Sequence, residues 1–122
     1  VVHSATKYLG GHSDVTAGAL MGRKELIQAV WPWRKNLGQV PSPEVCSLLS
    51  RSLKTLSVRV RQQNETALTL AKRLREHPAV ADVKYPGLAT FAQHQLAKTQ
   101  MSGFGGMITI VLKGEFKDAA RF

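Results

Sequence analysis

The sequence predicts an α/β fold, because short apolar strands alternate with helical segments along its 122 residues. The first strand is predicted over Val1–Ala5, where apolar and β-branched residues cluster. A second clear strand is predicted at Met107–Leu112, which reads Met-Ile-Thr-Ile-Val-Leu. Between the two, apolar residues recur at three- and four-residue steps from Ser42 to about Glu76, and this spacing predicts a long helical stretch.

The segments that follow the first strand are predicted from their glycines, prolines and apolar spacing. Glycine and polar residues predict a loop, alternating small and apolar residues predict a strand, and apolar residues at helical spacing predict a helix. Pro32 is expected to kink this helix or end it early, because proline lacks a backbone N–H. The predicted segments are a loop at Thr6–Asp14, a strand at Val15–Met21, a helix at Lys24–Asn36 and a loop at Leu37–Pro43.

The long helical stretch carries recognisable start and stop signals. Ser42 is a suitable N-cap, and Pro43 suits the first helical position. A single helix of this length is unusual, so we expect a break near Thr55–Ser57. His77-Pro78 is expected to stop the helix, because the residue before a proline avoids helical geometry.

Shorter elements are predicted for the last third of the chain. Strand and helix again alternate there, and glycine-rich turns separate them. The predicted elements are a strand at Val80–Tyr85, a helix at Thr90–Gln100 with Thr90 as a possible cap, a glycine loop at Ser102–Gly106 and a helix from Glu115 onward.

The chain ends suggest an internal piece of a longer protein. There is no starting Met, Val-Val-His resembles the middle of a buried strand, and Phe116–Phe122 resembles a helix cut short. A domain boundary is predicted inside the long helical stretch, which divides the chain into 1–60 and 61–122.

Composition indicates a globular protein, with 43% hydrophobic and 20% charged residues. The single cysteine, Cys46, cannot form an internal disulfide, which fits a reducing, cytoplasmic compartment. It occupies an apolar helix position, so a catalytic role is disfavoured. No apolar run reaches the roughly 18 residues of a membrane span.

The net charge of +9 leaves two interpretations open. A basic nucleic-acid-binding module would need a clustered basic face and aromatic residues on which bases stack. A solvated helix surface is favoured, because the basic residues are spread along the chain. The exceptions share one helical stretch and are Arg59, Arg61, Lys72, Arg73 and Arg75.

The chemically informative segment surrounds Lys7. This lysine follows an apolar strand, at the kind of strand end where α/β proteins place ligands, and its amine can act as a nucleophile or base. Ser4 and Thr6 flank it at a spacing that puts both hydroxyls on one side of an extended chain, where they suit a phosphate group. Gly10 and Gly11 let the backbone approach a ligand closely. From these residues alone, a surface lysine beside an ordinary turn stays open.

The run Ser-Ala-Thr-Lys-Tyr-Leu-Gly-Gly-His-Ser, residues 4–13, resembles the lysine motif of the Cys/Met-metabolism family of pyridoxal-phosphate (PLP) enzymes. This is the family of the cystathionine γ-synthase, cystathionine γ-lyase and methionine γ-lyase type. Tyr85–Leu88 and the glycine loop before the last strand resemble later stretches of the family. Three places depart from it: Ser52 stands where Gly is usual after Arg, Glu65 stands where Ala is usual after Asn, and the loop around Pro41–Cys46 differs from the commonest version.

The resemblance implies a fragment of a fold-type-I PLP-dependent transferase. Residues 1–60 would be the C-terminal part of the large, PLP-binding domain, and 61–122 the N-terminal part of the small C-terminal domain. Lys7 would hold PLP as a Schiff base and later shuttle protons between substrate carbons, while Ser4 and Thr6 would bind the cofactor phosphate. His12 and Asp14 are expected to shape the loop. With His3 they match no standard metal-ligand spacing, so no metal is expected.

The same resemblance implies a trans-sulfuration enzyme of cysteine and methionine metabolism. It would catalyse β- or γ-elimination, or γ-replacement, on a sulfur amino acid or O-acyl-homoserine, as a dimer or tetramer. Trp31 and Trp33 fit either a subunit contact or the core. Other parts of the family's site lie outside these 122 residues, so the fragment alone is expected to be inactive. A non-catalytic relative of the family stays open as an alternative.

Overall fold

The computed structural model describes residues 1–120 and confirms a mixed α/β content. The last two residues of the predicted terminal helix, Arg121 and Phe122, lie outside the described part. A helical turn at Ala5–Leu9 follows the first strand. The strands and helices are β1 Val2–Ser4, β2 Gly18–Leu20, α1 Lys24–Leu37, α2 Pro43–Leu53, α3 Leu56–Arg75, β3 Val80–Lys84, α4 His94–Gln100, β4 Thr109–Leu112 and α5 Phe116–Ala119.

The chain divides into two compact units, Val1–Ser57 and a second that begins at Val58. Each unit contains a two-stranded antiparallel sheet, β1 with β2 and β3 with β4. The assignment of 1–60 and 61–122 to two domains of a longer enzyme stays a prediction.

In the first unit, β1 and β2 pair over three residues each, with His3 opposite Ala19. Both strands are shorter than predicted. The extended backbone stops at Ser4, because the amides of Ala5 and Thr6 both donate to the carbonyl of Ala17, at 2.8 and 3.2 Å. The segment predicted as a loop therefore begins as a helical turn.

Helix α1 does not end at Pro32, and the expectation that it would end early is wrong. It continues to Leu37 and stops at Gly38, whose φ of +67° is the left-handed conformation that glycine adopts without cost. No residue of α1 is buried within the unit. Water can therefore hydrate the carbonyl that Pro32 leaves without an amide partner, which limits the cost of the proline.

The boundaries of α2 and α3 follow the predicted signals. The hydroxyl of Ser42 accepts a hydrogen bond from the Val45 amide at 3.3 Å, and Pro43 is the first helical residue. The expected break is confirmed at Lys54 and Thr55. Helix α3 ends at Arg75, ahead of His77-Pro78.

The core of the second unit lies between α3 and the β3–β4 pair. Tyr85 is fully buried, and its hydroxyl donates to the Gly105 carbonyl at 2.9 Å. The Asn64 side chain accepts a hydrogen bond from the Gly105 amide at 2.6 Å. Both backbone groups of Gly105, the carbonyl and the amide, are therefore hydrogen-bonded, and this fixes the glycine loop. The buried residues packed together are Ala67, Ala71, Val80, Val83, Tyr85 and Leu88.

Helix α4 begins at His94 rather than near Thr90, so the proposed Thr90 cap is wrong. The preceding chain instead forms successive tight turns. The amides of Leu88, Phe91 and His94 donate to carbonyls three residues earlier, each at 3.0 Å. This spacing of hydrogen bonds is that of turns and tight helical pieces, not of an α-helix.

Candidate active site

Lys7 lies in the helical turn that follows β1. The Gly10 amide donates to the Ala5 carbonyl at 2.8 Å, and the Gly11 amide donates to the Lys7 carbonyl at 2.7 Å. Lys7 itself departs from helical geometry, with φ of −92° and ψ of −117°. Its side chain is exposed and forms no hydrogen bond or ion pair with the residues that the structure describes. The turn therefore fixes the lysine backbone and leaves the amine accessible.

Thr6 joins this turn to the segment before β2. Its Oγ1 accepts a hydrogen bond from the Ala17 amide at 3.1 Å and donates to the Ala17 carbonyl at 3.4 Å. The side chain is half-buried. Both contacts are to backbone groups, so in this structure the hydroxyl holds the local fold together.

Ser4 is the last residue of β1 and pairs with Gly18 across the hairpin. It is exposed, and its hydroxyl has no hydrogen-bond partner among residues 1–120. The expectation that Ser4 and Thr6 share one side of an extended chain is wrong, because the strand ends at Ser4 and Thr6 lies in the helical turn. The two hydroxyls therefore differ: that of Ser4 is exposed to solvent, whereas that of Thr6 is hydrogen-bonded to the backbone of Ala17.

Gly10 is required by the close approach of two backbone segments. A Cβ at this position would lie 2.8 Å from the Ala5 carbonyl oxygen and 3.4 Å from the Val15 side chain. The residue is buried. The approach of a ligand is therefore not needed to explain this glycine, because it lets the Lys7 turn close on itself.

His12 binds back to the same turn. Its Nδ1 lies 2.8 Å from the Gly10 carbonyl oxygen and 3.3 Å from the Ser52 hydroxyl. A carbonyl oxygen only accepts, so this contact requires the proton to be on Nδ1. The expectation that His12 shapes the loop agrees with this geometry. The contact between Ser52 and His12 was not predicted, because the sequence identifies Ser52 only as a departure from a family pattern.

Within residues 1–120, no three His, Cys, Asp or Glu side chains are grouped as a metal site would need. None of the helices in that range has both the length and the apolar composition to cross a membrane.

Comparisons with known proteins place the whole chain in one family. The model of the Cys/Met metabolism PLP-dependent enzymes matches residues 1–122. A probable cystathionine gamma-synthase of Herpetosiphon aurantiacus is 51% identical over 93% of this chain and 36% of its own length. A chloroplastic cystathionine gamma-synthase of Arabidopsis thaliana is 44% identical over all of this chain and 22% of its own length.

Solved structures give the same result for the fold. A cystathionine gamma synthase from Xanthomonas oryzae pv. oryzae, in complex with aminoacrylate and cysteine, matches with a TM-score of 0.92 and 41% identity, over 98% of this chain and 31% of the other. A methionine gamma lyase from Micromonospora echinospora matches with a TM-score of 0.89 and 43% identity, over 93% of this chain and 31% of the other.

The chain thus spans about a third or less of the proteins that it resembles. Its similarity to them confirms the predicted fold class, a piece of a fold-type-I PLP-dependent transferase. Because the match extends from the first residue to the last and includes the turn that carries Lys7, the chain belongs to the Cys/Met metabolism family of PLP-dependent enzymes.

Proposed function

We propose that the protein containing this chain is a PLP-dependent trans-sulfuration enzyme with Lys7 as its Schiff-base lysine. It would carry out β- or γ-elimination, or γ-replacement, on a sulfur amino acid or an O-acyl-homoserine. The observation that carries the proposal is the state of Lys7: an accessible amine, without a hydrogen bond or ion pair to any of residues 1–120, on a turn whose backbone is closed by hydrogen bonds at Gly10 and Gly11.

The residues present fit a cofactor that has an aldehyde and a phosphate. An accessible primary amine can condense with an aldehyde, with loss of water. When bound, the cofactor supplies the electron sink for the reaction. When it is not joined to the cofactor, the Lys7 Nζ would be a free amine that could carry a proton from one substrate carbon to another.

The two hydroxyls fit the phosphate unequally. The Ser4 hydroxyl is exposed and has no partner among residues 1–120, so its proton is available to a phosphate oxygen. The Thr6 hydroxyl donates at 3.4 Å to the Ala17 carbonyl, which is a long hydrogen bond. Its proton can turn toward a phosphate oxygen while Oγ1 still accepts from the Ala17 amide.

Chemistry at the γ carbon is favoured over chemistry at the β carbon. The relatives from Herpetosiphon aurantiacus and Arabidopsis thaliana are named as cystathionine gamma-synthases, and a structural neighbour is a methionine gamma lyase. The proposal includes a small amino-acid substrate, self-association as a dimer or tetramer, and a cytoplasmic location.

The test uses the full-length protein that contains this chain. Its absorbance spectrum is recorded, the cofactor is fixed to the protein with borohydride, and the labelled peptide is identified by mass spectrometry. We expect the label on Lys7 and its loss in Lys7→Ala. Lys24→Ala is the matched control, because Lys24 is also exposed in the same unit.

Three results would contradict the proposal. A protein without cofactor, or a label on a different lysine, would exclude Lys7 as the Schiff-base residue. A protein labelled at Lys7 that turns over neither sulfur amino acids nor homoserine esters would instead be the non-catalytic relative.

A further inference from the structure

Helix α2 is connected to the Lys7 turn through two side chains. Ser52, near the end of α2, is 4% exposed. Its hydroxyl oxygen lies 3.3 Å from His12 Nδ1, and the same nitrogen lies 2.8 Å from the Gly10 carbonyl oxygen. The connection therefore runs from Ser52 through the imidazole of His12 to the backbone of Gly10.

The chemistry of the imidazole determines the direction of these hydrogen bonds. Nδ1 must carry a proton to bind the Gly10 carbonyl, so it cannot also accept from the Ser52 hydroxyl. Ser52 Oγ is then a second, longer acceptor for the same N–H. His12 is largely exposed, whereas Ser52 is buried, so the serine gives the ring a fixed neighbour that solvent does not provide.

Gly10 transmits this restraint to Lys7. Its carbonyl is held by His12, and its amide donates to the Ala5 carbonyl at 2.8 Å. The next amide, that of Gly11, donates to the Lys7 carbonyl at 2.7 Å. The peptide group between Gly10 and Gly11 is thus tied both to His12 and to Lys7, and a rotation of that peptide would move the lysine backbone.

We propose that Ser52 is a positioning residue for Lys7 and acts through the His12 ring. The proposal rests on the proposed function of Lys7 as the cofactor lysine. Members of the family usually have Gly at position 52. Glycine has no side-chain oxygen that could restrain the His12 ring, so this restraint would depend on the serine of this chain.

The first experiment compares Ser52→Ala with Ser50→Ala in the full-length protein. Ser50 is an exposed serine on the same helix, so its replacement controls for helix propensity. Amide hydrogen exchange is measured by mass spectrometry on peptides that contain Gly10 and Gly11. We expect exchange there to be about two- to tenfold faster in Ser52→Ala, the change that follows from the loss of one hydrogen bond.

Steady-state kinetics gives the second readout. A displaced Lys7 amine should slow proton transfer without changing substrate binding. We therefore expect kcat of Ser52→Ala to fall about two- to tenfold while KM stays within about twofold. A merely structural loss would lower the fraction of active protein and leave the exchange at Gly10 and Gly11 unchanged relative to the rest of the unit.

His12 variants test the route of the effect. Asparagine at position 12 keeps an N–H close to the place of Nδ1, whereas alanine removes it. We expect His12→Asn to retain most of the protection and His12→Ala to lose it. In the His12→Ala background, Ser52→Ala should accelerate exchange at Gly10 and Gly11 less than it does in the unmutated protein, because its contact with His12 is already absent.

The outcomes separate this inference from the function on which it rests. If the unmutated protein carries no cofactor on Lys7, the proposed function fails. If the unmutated protein does carry the cofactor on Lys7, and Ser52→Ala matches Ser50→Ala in kcat and in amide exchange at Gly10 and Gly11, the positioning role is refuted. Fully additive effects of Ser52→Ala and His12→Ala would refute it as well.

Discussion

The hydroxyl of Thr6 and the backbone of Ala17 form two hydrogen bonds with each other, one accepted by Thr6 at 3.1 Å and one donated at 3.4 Å. The Ala17 carbonyl also accepts from the amides of Ala5 and Thr6. A single residue ahead of β2 therefore binds the start of the Lys7 turn by four hydrogen bonds. The geometry of the lysine segment depends on a residue ten positions away from Lys7.

Replacement of Thr6, studied in the cofactor-free protein, should show how much its contact with Ala17 contributes to stability when no cofactor is bound. Thr6→Val keeps the shape but leaves the Ala17 amide without its acceptor, so we expect unfolding to become easier by about 1–3 kcal/mol. Thr6→Ser keeps the hydroxyl and should retain most of the stability. Urea denaturation of the cofactor-free, full-length protein measures both, and equal stability of Thr6→Val and the unmutated protein would contradict the prediction.

Ser4 should behave in the opposite way. Its hydroxyl is exposed and unpartnered within residues 1–120, so Ser4→Ala should leave the stability of the cofactor-free protein within about 0.5 kcal/mol. The loss of a hydrogen bond to a charged phosphate should weaken PLP binding by about tenfold or more. Cofactor titration followed by fluorescence checks this. An unchanged dissociation constant would remove Ser4 from the phosphate site.

Gly10 should tolerate no side chain. A methyl group there would lie 2.8 Å from the Ala5 carbonyl oxygen, and backbone cannot swing aside as a flexible side chain can. We expect Gly10→Ala to destabilise the protein by about 1–3 kcal/mol and to lower the cofactor content. Gly18→Ala is the control, because a Cβ at Gly18 meets no atom within 4 Å. Similar losses in the two variants would show that the Lys7 turn is not closely packed.

Asn64 should be important for the second unit. Its side-chain oxygen accepts from the Gly105 amide at 2.6 Å, so Asn64→Ala leaves a half-buried N–H without a partner. We expect a loss of about 1–3 kcal/mol in the free energy of unfolding. Glu65→Ala is the control, since Glu65 is exposed on the same helix. If thermal unfolding shows the same shift for both variants, the bond to Gly105 contributes nothing measurable.

Sequence reasoning succeeded where the signal is local. The cap at Ser42, the proline after it and the break at Thr55 each depend on neighbours within a few residues, and the structure has all three. The lysine segment was found because ten consecutive residues resemble a family motif. These signals are readable because the physics that produces them acts over one helical turn.

Sequence reasoning failed where the deciding contact is distant. The backbone turns after Ser4 because of Ala17, eleven residues from Thr6. Ser52 meets His12 across forty residues, and no local pattern announces that contact. The expectation that Pro32 would end α1 early is wrong for another reason: no residue of α1 is buried, so water can hydrate the carbonyl that the proline leaves without an amide partner.

The two indoles of the chain give a final consequence of the exposure of α1. Trp31 and Trp33 are 57% and 67% exposed, and the Arg34 guanidinium lies 5.0 Å from the centre of the Trp31 ring. Both tryptophans of the sequence therefore emit from one exposed helix, and their two-residue spacing places them about 200° apart around its axis. Their fluorescence should be red-shifted in the isolated chain and should shift to the blue when the rest of the protein or a second subunit covers α1. Intrinsic emission thus reports, without any label, on what α1 contacts.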